Sequence, residues 1–366
     1  MKYQARLEKL HKIMREAGLD VAALIPGPNH RYLTNSVHYV LERPIVTFYP
    51  LDQAPIAVIP ELEIPLFQRH PLPAQIVSYT DAEGYAGAFR DALTRIGVSG
   101  ATIGVEGLHM RFFEGEAIRA AAPSARVVDA SEALAGLRLH KDADEIAALR
   151  QAIEISEAAL AATFAEVNVG MSEIEAAAIL EGHIFALGGE GLSFGTILHA
   201  GANTPLPHLG PLDYRIQHGD PLIVDFGATV DGYCADITRT VFVGAVSDEQ
   251  REFYALVQAA NEAGRAAAAP GVPCEAVDIA ARQVFIDAGC AHLIRHRTGH
   301  GIGLEAHEAP YMVVGNKRLL EPGMVFTVEP GIYRAGEIGV RIEDNILITE
   351  DGAESLTTFE RDLTVI

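Results

Sequence analysis

Tryptophan is absent from the 366-residue chain, cysteine occurs three times, and basic residues are far fewer than acidic ones. The 28 Lys and Arg against 49 Asp and Glu give a formal net charge of −21, which argues against nucleic acid or an anionic membrane surface as a partner. Three cysteines (Cys234, Cys274 and Cys290) form no disulfide framework and favour a reducing compartment. No apolar run reaches the ~20 residues that a membrane span needs. We therefore expect a cytoplasmic protein.

The remaining composition is that of a globular protein, with 49% apolar and 21% charged residues. The length predicts two domains. Residues 1–137 alternate helix-like and strand-like segments, which indicates an α/β domain. Asp142 and Glu145 then have the spacing of a capping box, so we expect a helix that opens a second domain over residues 138–366.

The second domain contains two similar segments, 167–188 and 268–289. Each has a glycine turn, an alanine-rich stretch and a closing glycine, and Gly170 matches Gly271. Chance similarity between alanine-rich helices is one explanation and duplication is the other. Because a strand pair with two acidic residues follows each copy, the pattern favours a duplicated, pseudo-symmetric α+β domain with its site between the halves.

Those acidic residues are predicted to face one another in hairpins. If the first turn centres between Val230 and Asp231, Asp225 lies opposite Asp236. Two like charges there destabilise a sheet by up to ~1 kcal/mol unless a cation lies between them. Glu329 and Glu343 straddle Gly336, which requires an odd-numbered loop or a bulge. Acidic residues that simply face water explain either pair alone, but both pairs lie in apolar strands.

Histidines accompany the acidic pairs. The segment HRTGHGIGLEAHE places His296, His300 and His307 within twelve residues, interleaved with glycines that permit close backbone approach. Another, His208, lies in the Gly- and Pro-rich stretch ILHAGANTPLPHLGP, which is typical of a substrate-facing loop. An ordinary surface histidine is the alternative for His208.

In chain order, the candidate ligands resemble the five metal ligands of the pita-bread metallopeptidases: Asp225, Asp236, His300, Glu329 and Glu343. The segments VDFGATVDGYCADITRT, GHGIGLEAHE, TVEPGIY and GVRIEDNILIT are similar to family segments. The first domain resembles that of the creatinase, prolidase and aminopeptidase P branch. The resemblance implies an α/β N-terminal domain followed by a pseudo-twofold, duplicated pita-bread catalytic domain.

The resemblance also implies two divalent metal ions, with Mn²⁺ favoured for an oxygen-rich site and Co²⁺ or Zn²⁺ left open. Asp236 and Glu343 would bridge both ions. Asp225 would bind one ion, and His300 and Glu329 the other. The roles implied for the remaining chemistry are proton acceptor for Glu329, binding of the carbonyl and oxyanion for His208 and His307, and a supporting hydrogen bond for Arg341.

The activity implied is hydrolysis of the peptide bond that precedes proline, by a homodimer. An Xaa-Pro dipeptidase (prolidase) is favoured, and an Xaa-Pro aminopeptidase acting on longer peptides is the alternative. A non-catalytic binding protein and a metal-free creatinase are further contrasts, and both are expected to lose metal ligands. In dimeric prolidases a loop from the region of SVHYVLERP reaches the partner's site, so we expect Arg43 to bind the substrate's carboxylate. An exposed arginine paired with Glu42, or with nothing, is the alternative.

Overall fold

The computed structural model describes residues 2–71, 73–206 and 209–366, which belong to two compact units, 1–138 and 139–366. No helix in this described part is both long and apolar enough to cross a bilayer. All three cysteines are free thiols, and two of them, Cys234 and Cys274, are buried.

Unit 1 is built on a mixed six-stranded sheet with the strand order β4-β3-β2-β1-β5-β6. The strands are β1 (Val21–Leu24), β2 (Val46–Pro50), β3 (Ile56–Pro60), β4 (Gln75–Tyr79), β5 (Thr102–Val105) and β6 (Arg126–Asp129). The helices are α1 (Lys2–Ala17), α2 (Pro28–Thr34), α3 (Ile64–Phe67), α4 (Ala86–Ile96), α5 (Phe112–Ala121) and α6 (Ser131–Ala135). β1 pairs antiparallel with β2 and parallel with β5. The predicted α/β alternation is confirmed, and its apolar strands supply the buried core, with Phe48, Val58 and Ile103 packed against Phe89 of α4.

Three histidine rings pack together in unit 1. His30, His38 and His70 have ring centroids 6.0, 5.7 and 5.3 Å apart. The Nε2 atoms of His38 and His70 are 3.2 Å apart, and Glu63 lies 3.4 Å from Nδ1 of His38. Burial and the neighbouring imidazoles lower the pKa of His30 to about 3 and that of His70 to about 4. These two rings are therefore uncharged near neutral pH.

Unit 2 combines long helices with short antiparallel strands. The helices are α7 (Ala143–Glu166), α8 (Glu173–Ala186), α9 (Asp248–Ala267) and α10 (Cys274–Asp287). The strands are β7 (Gly191–Leu192), β8 (Ile197–Ala200), β9 (Pro221–Phe226), β10 (Ala228–Val230), β11 (Tyr233–Cys234), β12 (Ile237–Phe242), β13 (Gly299–Gly301), β14 (Glu308–Met312), β15 (Val325–Val328), β16 (Gly331–Arg334), β17 (Ile338–Arg341), β18 (Asp344–Ile348) and β19 (Ala353–Ser355). The strand orders of its three larger sheets are β11-β10-β7, β12-β9-β8 and β14-β13-β15-β18-β19.

The helices of unit 2 follow the sequence signals closely. The capping box of α7 is confirmed, because the Asp142 carboxylate accepts the Glu145 amide at 3.0 Å and the Glu145 carboxylate accepts the Asp142 amide at 2.9 Å. Helices α8 and α10 each have 14 residues and start 101 positions apart, as the two similar segments require. The α7–α8 pair covers the sheet that contains β9, and α10 packs on the sheet that contains β15.

Candidate metal centre

The first acidic hairpin has a different register from the predicted one. In the β9–β12 pair, Asp225 lies opposite Thr238, so the predicted opposition of Asp225 and Asp236 is wrong. The turn is centred one residue later than expected, because Asp231 and Gly232 both adopt positive φ, at 50° and 79°. Asp236 directly precedes β12. A Cβ atom at Gly227 would lie 1.8 Å from the Ala235 carbonyl oxygen, so glycine is required for this close approach.

The second acidic hairpin has the predicted form. Val328 pairs with Asp344 and Gly331 pairs with Arg341, so a single register places Glu329 opposite Glu343. The turn between β16 and β17 has three residues, 335–337, and its central residue Gly336 has a φ of 74°. The expectation of an odd-numbered loop is confirmed.

His300 lies on β13, beside β15. The backbones approach so closely that a Cβ atom at Gly299 would lie 1.9 Å from the Thr327 carbonyl oxygen. The register of β13 against β14 shifts between His300 and Gly301. Glycine on both sides of the histidine thus lets a short strand fit into the sheet and present the imidazole to the acidic residues.

The structure brings all five predicted ligands together. Together with His307, they form three overlapping groups whose nitrogen and oxygen atoms lie within 4.8 Å of one another. These groups are Asp225, Asp236 and Glu343; His300, Glu329 and Glu343; and Asp236, His300 and His307. The His300 Nε2 atom lies 3.3 Å from Glu329 and 3.7 Å from Asp236. Asp236, His300 and Glu343 each occur in two of these groups, so the groups share side chains and form one continuous cluster.

Three of the carboxylates, Asp236, Glu329 and Glu343, have shifted pKa values. Burial and the charges of neighbouring carboxylates raise the pKa of Asp236 and of Glu343 well above their usual values. Burial acts in the same direction on Glu329, but the His300 hydrogen bond and nearby positive charges outweigh it and lower the pKa of Glu329 to about 2. A buried cluster of this kind needs positive charge to remain ionised.

Arg341 supplies part of that charge. Its buried guanidinium donates to Asp225, to the Tyr333 hydroxyl at 2.7 Å and to Thr238 Oγ1 at 3.1 Å. Thr238 in turn donates to Glu343 at 2.7 Å. Arg341 therefore connects the two acidic hairpins, as a supporting group would.

The hydrogen bonding of the Asp225 carboxylate bears on whether the cluster suits metal ions. Asp225 Oδ1 is buried and has no hydrogen-bond partner among the described residues, although Oδ2 of the same carboxylate accepts from Arg341. Leaving a buried acceptor unpaired costs ~1–3 kcal/mol. Oxygen-rich groups with a free, buried acceptor are the ligand set that hard divalent cations prefer, so these residues fit such ions.

The cluster lines a cavity of about 890 Å³. Its other lining residues include His296, Arg297, Ala306 and His307 on the histidine segment, Leu209, Gly210 and Pro211, and Glu181 of α8. The exposed His307 ring lies 3.9 Å from the His300 ring, centroid to centroid. His208 lies outside the described residues.

The segment before β9 is held by the buried Glu173 at the start of α8. Its carboxylate accepts the Ala200 amide at 2.8 Å, the Leu212 amide at 2.8 Å and the Asn203 side chain at 3.0 Å. His199 Nδ1 lies 3.1 Å from the same carboxylate, and its Nε2 lies 2.7 Å from the Leu209 carbonyl oxygen. Glu173 thus fixes both ends of a segment that contributes to the cavity wall.

Arg43 belongs to unit 1, in the loop between α2 and β2. Its Nε and Nη2 atoms donate to the two Asp81 carboxylate oxygens, each at 2.8 Å, and Nη1 donates to Glu42 at 2.5 Å. Its role in carboxylate binding stays a prediction.

Similarity to known proteins agrees with this site. Residues 147–350 match the model of metallopeptidase family M24, and residues 6–140 match the creatinase/prolidase N-terminal domain. The chain belongs to metallopeptidase family M24. It is 34% identical to an Xaa-Pro dipeptidase of Pyrococcus furiosus over 363 residues, covering 98% of this chain and 99% of that one.

Solved structures of the same architecture include two instructive neighbours. A prolidase from Thermococcus sibiricus superimposes with a TM-score of 0.94 at 33% identity, over 100% of both chains. An X-Pro aminopeptidase from Thermotoga maritima gives 0.86 at 30% identity, over 98% of this chain and 99% of that chain. The fold predicted from the resemblance is confirmed, and this M24 metallopeptidase has an acidic and histidine cluster suited to divalent metal.

Sequence reasoning did not single out Thr238, which completes the network. Thr238 contacts both Glu343 and Arg341, and its position two residues after Asp236 on one strand was the available signal. The Tyr333 hydroxyl lies 2.7 Å from His296 Nε2. His296 Nδ1 donates to the Arg297 carbonyl oxygen at 2.8 Å, so this ring links the histidine segment to Tyr333.

Proposed function

We propose that this M24 metallopeptidase is an Xaa-Pro dipeptidase, which hydrolyses the bond preceding proline in dipeptides. The observation that carries the proposal is the convergence of five ligand side chains on one cavity in a chain whose similarity to an Xaa-Pro dipeptidase extends over both units. Loss of ligands is expected in a binding protein or a metal-free hydrolase of this fold, and all five candidate ligands are present in this chain.

The ligand assignment is part of the proposal. Asp236 and Glu343 would bridge two ions, Asp225 would bind one of them, and Glu329 with His300 the other. The overlap of the donor groups at Asp236 and Glu343 supports this division. We favour Mn²⁺ because four carboxylates and one imidazole form a hard donor set, with Co²⁺ and Zn²⁺ as alternatives. Bound ions would lower the pKa of a water molecule so that a nucleophile is available near neutral pH.

The chain's own groups would do the remaining chemistry. The Glu329 carboxylate, which lies 3.3 Å from His300 within the donor cluster, would accept the proton of the attacking water. His307, exposed on the cavity wall, would donate to the carbonyl oxygen as negative charge develops there, together with His208. Arg341 would hold Asp225 in place through its hydrogen bond.

We further propose a cytoplasmic homodimer. The three free thiols support a reducing compartment. The resemblance to dimeric prolidases supports the dimer.

Hydrolysis of three peptides in the presence of Mn²⁺ tests the activity: Ala-Pro, Ala-Pro-Ala and Ala-Ala. We expect proline release from Ala-Pro to be fastest by a wide margin. Comparable rates on Ala-Ala would contradict proline specificity, and absence of hydrolysis with metal bound would contradict an enzyme.

Faster cleavage of Ala-Pro-Ala would favour the second candidate, an Xaa-Pro aminopeptidase. The likeness to the Thermotoga maritima X-Pro aminopeptidase structure supports that alternative. An aminopeptidase must leave space beyond the proline, whereas a dipeptidase must bind a carboxylate there.

A further inference from the structure

The cavity beside the metal centre has two described cationic side chains other than its histidines, Arg297 and Arg341. The two guanidinium groups differ in how many of their hydrogen-bond donors are occupied by described residues. Arg341 is buried, and its guanidinium already donates to Asp225, Tyr333 and Thr238. It has little left to offer a substrate.

The Arg297 guanidinium differs, because none of its N–H groups has a partner among the described residues. Within residues 2–71, 73–206 and 209–366, its guanidinium makes no hydrogen bond or ion pair, although the side chain is half-buried. It lies over the Tyr311 ring, with the guanidinium carbon 4.3 Å from the ring centroid. Cation–π contact of this kind holds the planar guanidinium in one orientation without using its N–H groups. Its neighbour Arg295, by contrast, donates to the His292 carbonyl oxygen.

We infer that Arg297 binds the free α-carboxylate of the substrate, an assignment that rests on the proposed dipeptidase function. A dipeptide brings its carboxylate close to the bond that is cut, and Arg297 lines the same cavity as the candidate metal ligands. A guanidinium matches a carboxylate with two parallel hydrogen bonds. Because the Tyr311 ring already orients it, less entropy is lost on binding.

This assignment differs from the one predicted for Arg43. Both carboxylate oxygens of Asp81 already accept from Arg43, so Arg43 would have to leave that pair to bind a substrate. Arg297 would not have to leave an ion pair with a described residue in order to bind a substrate. It also lies on the same segment as His300 and lines the same cavity.

The decisive measurement compares Ala-Pro with its C-terminal amide, which keeps the scissile bond and removes the negative charge. Arg297→Met preserves side-chain length without charge, and Arg297→Lys preserves charge without the planar fork. Arg295→Met is the matched control, since it removes an equal charge from an exposed neighbour. Arg43→Ala tests the competing assignment.

We expect Arg297→Met to lower kcat/KM for Ala-Pro roughly 10- to 100-fold, mainly through KM, with little change for the amide. Arg297→Lys should recover part of the loss, and Arg295→Met should resemble the wild type. Equal losses on both substrates would overturn the inference, as would an unchanged preference in Arg297→Met or a selective loss confined to Arg43→Ala. A wild type that cleaves no Xaa-Pro peptide would overturn both the proposed function and this inference. If the wild type is active, failure of the Arg297 prediction overturns the inference alone.

Discussion

At the scale of single residues, Asp236 is a direct test of the candidate metal centre, because it belongs to two of the three potential ligand groups. Asp236→Asn keeps the shape of the side chain and removes its charge. We expect loss of at least one metal ion and a fall in activity of several orders of magnitude, with a native circular dichroism spectrum. Elemental analysis and turnover measure both effects.

Asp231→Asn is a suitable control for Asp236→Asn. It makes the same chemical change at the exposed turn of the same hairpin, where the positive φ of 50° suits asparagine. Full metal content and wild-type turnover in Asp236→Asn would refute the assignment.

His307 is expected to act on the transition state and not on metal affinity. His307→Ala should lower the rate by roughly 10²–10³-fold, the usual effect of removing one oxyanion donor. Two ions per chain should remain. The ring lies close enough to His300 and Asp236 to belong to a ligand group, so loss of metal in this variant would reassign it as a ligand.

At the scale of elements, α8 controls part of the cavity wall through Glu173. Glu173→Gln places an amide NH₂ where the carboxylate now accepts from backbone amides, which leaves buried donors unpaired at ~1–3 kcal/mol each. We expect faster hydrogen exchange at Ala200 and Leu212 and a higher KM. Glu190→Gln, an exposed change just after α8, should leave both unchanged. Normal protection in Glu173→Gln would show that the segment is held by other contacts.

Element positions were predictable wherever local chemistry decides them. The Asp142 capping box, the odd turn at Gly336 and the paired helices α8 and α10 all follow from short-range signals. The first hairpin was misjudged because its register depends on which two residues accept positive φ, and Asp231–Gly232 accepts it as a pair.

The candidate ligands were predictable from residue types and spacing, but their supporting contacts were not. Arg341 and Asp225 are 116 positions apart, and sequence alone gives no means of pairing them. The same holds for Arg297, because its lack of a hydrogen-bond partner within the described part of the chain becomes visible only when the surroundings are known.

At the scale of the whole molecule, metal removal should change how stability depends on pH. Without ions, the raised pKa values of Asp236 and Glu343 mean that the folded state binds protons more tightly than the unfolded state. That contribution is present at low pH and is lost as pH rises through the raised values. The stabilisation that bound metal provides should instead increase as pH rises, since deprotonated ligands bind ions better.

Thermal melts with and without chelator, from pH 5 to pH 8, measure this difference. We expect the gap between the two midpoints to widen as pH rises. A gap that is constant or narrows would contradict a carboxylate metal centre.

Acid should destabilise unit 1 over a defined pH range, because its packed imidazoles are uncharged in the folded state. His30 and His70 have folded pKa values of about 3 and about 4, below the value near 6.5 in an unfolded chain. Their contribution to stability is therefore complete above about pH 6.5 and is lost as pH falls toward 4. In chelated protein, hydrogen exchange of β1 and β2 should accelerate over that interval, and less so in His30→Gln. Acid tolerance would then be limited by a domain that holds none of the candidate metal ligands.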